Sequence, residues 1–435
     1  MRSYNATSPA DWSAAGAWHT VPWSPVHGLH GVAAGATGPG AGNSSGSTGD
    51  SRDSTDISSA AFGGHSPAAS TTPSQDGPGS RSGTTSAAPS TPTSPTSPTS
   101  FTSTAPTATT APDLGPSPIG WLKSGIPYLP PTDALQLHTL DVWVPNHDNT
   151  NVPPDPLSPS SPSEAGGTWI VYIHGGAWRD PFITSASFAP AAGYLLHHAA
   201  EHAAGSGAPP PLAGLVSINY RLSPHPSHPA PRDPSRQARH PDHIADVLAA
   251  LSFLGRVCII KGGAVKTNWI LAGHSCGATL AFQAVMHPAR WKLSSSSSSH
   301  VLPPPRALVG FNGLYDLAGF VAAPPLAYAH LRDAYREFTT AAFGGDEDGW
   351  RAVCPASAGG QWVQEWPPTK KSVVLVQSRE DSLVPWDQID AMHARLADEG
   401  GVNVTVVESD GDHDDAWKKG GRMADILWGV VSEKV

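Results

Sequence analysis

Residues 269–286 read Trp269-Ile270-Leu271-Ala272-Gly273-His274-Ser275-Cys276-Gly277-Ala278-Thr279-Leu280-Ala281-Phe282-Gln283-Ala284-Val285-Met286. An apolar run over Asn268 to Ala272 predicts a buried strand, and Ala278 to Met286 predicts a helix of small residues. Between them, Gly273 to Gly277 fits G-x-S-x-G. A serine hydroxyl is a weak nucleophile, so it has to be displayed to a base at a sharp strand-to-helix turn. Glycines flank it because side chains would collide there. The helix that starts at the turn points its positive end at a developing oxyanion. The pentapeptide alone is a weak signal, since a serine between glycines is more often structural. The strand before it and the helix after it make Ser275 a candidate nucleophile. Cys276 competes on chemical grounds, a thiolate being the stronger nucleophile. It holds the position whose amide usually faces the oxyanion, so its side chain is expected to point elsewhere and pack.

Upstream, the apolar run Thr168 to Ile173 leads into His174-Gly175-Gly176-Ala177-Trp178. Glycines directly after a buried strand let the main chain itself approach a substrate carbonyl. The amides of Gly175, Gly176 and Cys276 are therefore the candidate oxyanion hole. His174 is expected to fix the turn. Trp178 is a candidate pocket residue, with a packed loop aromatic as the alternative.

Downstream, the strand Ser372 to Gln377 runs into Ser378-Arg379-Glu380-Asp381-Ser382-Leu383-Val384-Pro385. An acid in a loop after a late strand can hold an imidazole in the right tautomer. Asp381 and Glu380 both qualify, and Asp381 is preferred for its Asp-x-x-Val-Pro setting. Only His393 and His413 follow. His393 falls inside the expected helix Trp386 to Ala397, whereas His413 falls in the loop between the last strand, Val402 to Val407, and a closing helix, Asp414 to Val431. The order Ser275, Asp381, His413 is the order an α/β-hydrolase requires.

The rest of the pattern agrees. Strands are expected at Leu135 to Val144, Leu215 to Asn219 and Ala307 to Phe311, with helices at Ala186 to Glu201, His243 to Leu254 and Ala327 to Phe343. This alternation predicts an α/β-hydrolase fold, a mostly parallel central sheet with helices on both faces. The catalytic domain is expected over 119–435. Residues 1–118 form a low-complexity extension, and Gly38 to Pro118 has almost nothing to bury, so disorder is expected there. Trp12, Trp18 and Trp23 mark a possible docked arm, and Ser294 to Ser299 an inserted loop.

The 435 residues carry 44 glycines, 45 prolines and a formal charge of −10, with no clustered Lys/Arg stripe, which excludes a nucleic-acid footprint. Three cysteines (Cys258, Cys276, Cys354) are too few and too scattered for a disulfide framework. There is no H-E-x-x-H among the 20 histidines, so no metal and no other cofactor are expected, and His225-Pro226-Ser227-His228 reads as a rigid loop. Neither an N-terminal apolar leader nor an eighteen-residue apolar run is present, so no membrane association and a cytoplasmic location are expected. The sequons at Asn5, Asn43 and Asn403 then carry no weight. A homodimer is compatible with the sequence and not required by it.

Several segments resemble fungal kynurenine formamidase (arylformamidase): His174-Gly175-Gly176-Ala177-Trp178-Arg179-Asp180-Pro181, Asn219-Tyr220-Arg221-Leu222-Ser223-Pro224, His240-Pro241-Asp242-His243-Ile244-Ala245-Asp246-Val247, Gly273 to Ala278, and His413-Asp414-Asp415. The likeness covers roughly residues 120–435. It implies hydrolysis of N-formyl-L-kynurenine to L-kynurenine and formate, in tryptophan degradation towards NAD. A small aromatic formamide substrate would suit Trp178 and the Tyr220 loop as substrate-binding residues. The rivals are a general carboxylesterase with the same residues and, from a different class, a non-catalytic receptor or scaffold on the same fold. The latter typically lacks a triad member.

Overall fold

The structure, a computed structural model, describes residues 17–22, 118–146, 153, 167–206, 211–228, 230, 232–257, 268–293, 302–367 and 370–433. All belong to one of two units, built from residues 1–63 and 117–435. Most of the low-complexity extension, Trp12, Trp23, Cys258 and Ser294 to Ser299 lie outside the described residues.

Nine strands among the described residues form one sheet: β1 (His19–Val21), β2 (Gly120–Pro127), β3 (Thr139–Pro145), β4 (Thr168–Ile173), β5 (Leu212–Ile218), β6 (Trp269–His274), β7 (Ala307–Phe311), β8 (Ser372–Ser378) and β9 (Asn403–Ser409). Their spatial order is β1-β2-β3-β5-β4-β6-β7-β8-β9. The β1, β2, β3 and β5 neighbours pair antiparallel. From β5 to β9 every pair is parallel. Chain order turns back between β4 and β6. In an open parallel sheet, that reversal opens a crevice at the carboxyl ends of the strands, where ligands bind.

The central strands are apolar throughout because both faces are covered. On one face Ile170, Tyr172, Ile270, Ala272, Val309 and Val374 pack against α1 (Ala189–Ser206) and the C-terminal helix. On the other, Val171, Ile173, Leu271, Leu308 and Leu375 meet α2 (Asp242–Val257), α3 (Cys276–Gln283) and a later helix over Asp387–Glu399. The same strand therefore feeds two cores through alternate residues. Among the described residues, no helix is long and apolar enough to cross a membrane.

The structure differs from the expected pattern in three places. Ala327 to Phe343 is a 3-10 turn, Leu326–Leu331, running into α5 (Arg332–Phe343), with α4 (Leu317–Ala322) before it and α6 (Glu347–Val353) after it. The closing helix is two helices, α8 (Asp415–Lys419) and α9 (Gly421–Val431), after α7 (Asp387–Glu399). Gly420 breaks it at φ +71°, and a Cβ there would lie 2.4 Å from the Ala191 amide nitrogen. The third is the edge: β1 and β2 had no counterpart in the sequence pattern. Val21 pairs with Gly120 and His19 with Leu122.

Candidate active site

Ser275 follows the last residue of β6 and caps α3 with φ 54° and ψ −124°. A non-glycine residue there costs on the order of 1–3 kcal/mol unless its surroundings enforce the conformation. They do. A Cβ on Gly273 would lie 2.2 Å from the Gly277 carbonyl oxygen, and one on Gly277 would lie 2.2 Å from that of Ile173. The turn therefore closes on itself and on the end of β4. The Ser275 amide donates to Phe311 O at 2.8 Å, tying the turn to β7.

The Gly175–Trp178 loop lies against this turn. A Cβ on Gly175 would lie 2.8 Å from His274 Nδ1 and 3.1 Å from Ser275 Cβ, so a side chain there would crowd both residues and push the main chain away from residue 275. Gly176, Ala177 and Trp178 all adopt positive φ (96°, 49° and 59°). The Trp178 amide donates to Cys276 Sγ at 3.3 Å, and the Ala177 amide donates to the same sulfur. Tyr220 donates its hydroxyl to His174 O at 3.0 Å, leaving its oxygen to accept from the Cys276 thiol at 3.5 Å. Burial pushes that thiol up to about 11, so at neutral pH Cys276 is a protonated brace under the loop. His174 stacks on Tyr220 at 4.4 Å, and burial lowers its pKa to about 4. Trp178 and Tyr220 are both fully enclosed, Trp178 against Phe338 and Phe343. Next to Tyr220, a partly buried ion pair ties the chain to α2, with Arg221 Nε and Nη2 donating to Asp246 at 2.8 and 2.7 Å.

Asp381 and His413 come from the loops after β8 and β9. His413 Nδ1 donates to Asp381 Oδ2 at 2.8 Å, with both side chains buried. Asp381 Oδ1 accepts from the amides of Leu383 and Val384 (2.9 and 2.8 Å), and Oδ2 also accepts from Gln377 Nε2 at 3.3 Å. The Asp-x-x-Val spacing thus has a physical basis, a side-chain-capped turn that fixes the carboxylate. Glu380 accepts from the Gly411 amide at 2.9 Å and lies on the exposed side. Asp412 Oδ1 accepts from Ser382 N, Ser382 Oγ and His413 N. The two loops are stapled together.

Burial alone would push the His413 pKa down. The Asp381 carboxylate, helped by Asp414 and Asp412, outweighs it and holds the imidazole above its ordinary value. The arrangement suits a base that must accept a proton and keep it briefly.

Sequence reasoning placed Ser275, His413, Asp381 and the two glycines, and the structure brings these segments to one sheet edge. It missed Gln377, Ser382, Asp412 and Asn312, which hold the others. Among the described residues no group of three or more His, Cys, Asp or Glu is arranged to hold a metal ion.

The chain is 36% identical over 315 residues to the kynurenine formamidase-like hydrolase fscH of Fusarium equiseti, a match spanning 70% of this chain and 92% of the relative. It is 31% identical over 310 residues to kynurenine formamidase avaC of Aspergillus versicolor, spanning 68% and 95%. Among solved structures, esterase B from Lactobacillus rhamnosis superposes with a TM-score of 0.49 at 15% identity, covering 74% of this chain and 89% of that one. No protein-family model matches the chain.

Proposed function

Because this chain belongs to the kynurenine formamidase family of hydrolases, we propose that it cleaves N-formyl-L-kynurenine to L-kynurenine and formate, with Ser275 as nucleophile, His413 as base and Asp381 as the acid that orients it. On this reading the reaction belongs to tryptophan degradation towards NAD. Ser275 Oγ attacks the formyl carbonyl as His413 takes its proton. The amides of Gly175, Gly176 and Cys276 receive the oxyanion at the start of α3. Collapse breaks the C–N bond, and His413 passes its proton to the leaving arylamine nitrogen. A water deprotonated by His413 then attacks the formyl ester, freeing Ser275 and releasing formate. Asp381 keeps the ring proton on Nδ1 throughout.

The observation that carries this reading is the 2.8 Å contact of His413 Nδ1 with Asp381 Oδ2, beside a residue-275 backbone held in the strained turn of a nucleophile elbow. The domain boundary at residue 119 and a cytoplasmic setting belong to the same reading. The test compares turnover of N-formyl-L-kynurenine with that of short p-nitrophenyl esters in the unsubstituted chain, Ser275→Ala and His413→Ala. Preference for the formamide, with both variants folded and reduced by at least about a thousandfold, is expected. Preference for the esters makes it a carboxylesterase, and near-normal rates in either variant remove the mechanism.

A further inference from the structure

His413 is held at three places, its amide by Asp412 Oδ1 at 2.7 Å. Its ring is fixed by Asp381, but its main-chain carbonyl accepts from two side chains that belong to neither loop of the acid–base pair. His274 Nε2 lies 2.9 Å from His413 O, and Asn312 Nδ2 lies 3.3 Å from the same oxygen. His274 is the last residue of β6 and Asn312 immediately follows β7. All three are buried, with His274 1%, Asn312 2% and His413 4% exposed.

A carbonyl can only accept, so His274 must carry its proton on Nε2. Burial and the neighbouring His413 ring, 4.7 Å away between centroids, hold His274 to about 3, so this tautomer is neutral at working pH. Asn312 adopts φ +46°, a conformation asparagine tolerates better than most residues. Its amide nitrogen donates to Val376 O at 2.8 Å, which anchors it to β8 while the side chain reaches residue 413.

We propose that His274 and Asn312 are positioning residues for the base: two donors at the tips of adjacent strands fix the carbonyl of residue 413 and so set where its imidazole meets the Ser275 hydroxyl. Asp381 restrains Nδ1 alone. The direction of Nε2 then depends on where the backbone of residue 413 sits, and a misplacement of about 1 Å at a reacting group can cost about a hundredfold in rate. His274 also directly precedes Ser275, so the same short segment carries the nucleophile and grips the base.

This proposal rests on Ser275 and His413 acting as nucleophile and base, and its test does not depend on the substrate. The full chain is treated with a fluorophosphonate probe, which phosphonylates an activated serine with loss of fluoride and requires no formamide. His274→Ala is expected to slow labelling of Ser275 by between about ten- and a hundredfold, and to shift the low-field proton resonance of the His413 Nδ1–H. His274→Gln, whose side-chain amide can donate to the same carbonyl, should recover most of the rate. Asn312→Gly removes the other donor, suits the positive φ, and should slow labelling about tenfold with little change in thermal midpoint. Rates equal to those of the unsubstituted chain in His274→Ala and Asn312→Gly overturn the proposal alone. So does a slow His274→Ala that His274→Gln fails to rescue while the resonance stays in place. No labelling of the unsubstituted chain overturns the nucleophile assignment and this proposal with it.

Discussion

At the scale of single residues, Glu380 and Asp381 are adjacent carboxylates of similar chemistry with separate duties. Asp381 is buried and spends both oxygens on the turn and on His413, whereas Glu380 is exposed and accepts from the Gly411 amide. Asp381→Asn should lower kcat by about four orders of magnitude, because the amide would favour the wrong imidazole tautomer. Glu380→Gln, whose carbonyl oxygen can still accept, should stay within about threefold of the unsubstituted rate, as expected for an exposed contact. Steady-state rates on either substrate class would reverse the assignment if the order came out the other way. Both carboxylates were visible in the sequence. The following Val-Pro distinguishes them, and its physical cause, the bond from Val384 N to Asp381 Oδ1 at 2.8 Å, lies in the folded turn rather than in the spacing.

Among the elements, the β6–α3 turn is the least forgiving. With 2.2 Å between a Cβ on residue 277 and the Ile173 carbonyl oxygen, Gly277→Ala must push α3 off β4, at a cost of about 3 kcal/mol or more. The variant should melt well below the parent or fail to accumulate, and a thermal melt within a few degrees of the parent contradicts the packing described here. This turn was legible because its constraint is local: an apolar run, glycines at fixed spacing and a helix lie within eighteen residues. The broken closing helix was less so. Gly420 and Gly421 sit within an otherwise helical pattern, and only the approach of α1 shows why the backbone turns there. Asn312 and Ser382 were illegible for the opposite reason. Their partners, His413 and Asp412, are set by the order in which strands pair, and no spacing in the chain encodes it. Gln377 bonds within its own turn, to Asp381 and Val384, but a glutamine ending an apolar strand does not by itself show which way it points.

For the whole molecule, histidine burial sets the acid limit. His174, His240, His243 and His274 are lowered to about 4, 4, 3 and 3, in each case chiefly by burial. The unfolded chain binds protons at these rings from about 6.5 downward, so stability falls as pH drops below that value and continues to fall to about 3–4. His413 runs the other way: its raised pKa adds stability at low pH that is lost as pH rises through it. Four rings against one should give a thermal midpoint that declines steadily from pH 6.5 to 4. A flat profile over that range would show that these rings take up protons without penalty. The sheet edge makes a second demand. Since Val21 and Gly120 are paired, the chain ends flanking residues 23–117 meet at one point of the sheet edge. Replacing residues 23–117 by a two-residue Asn-Gly connection should therefore preserve turnover within about twofold, a short turn closing the hairpin as well as a long segment. Loss of the fold in that variant would show that the segment contributes more than a tether.

The same pairing leaves β1 joined to the sheet by few contacts of its own. A protease cutting anywhere from residue 24 to 117 would turn an intramolecular pairing into a bimolecular one, with only three residue pairs to retain the released peptide against dilution. Once it departs, β2 presents unsatisfied amides and carbonyls along a bare edge, and another chain can add there. Clipped enzyme should then self-associate in a way that a synthetic copy of residues 17–22 suppresses.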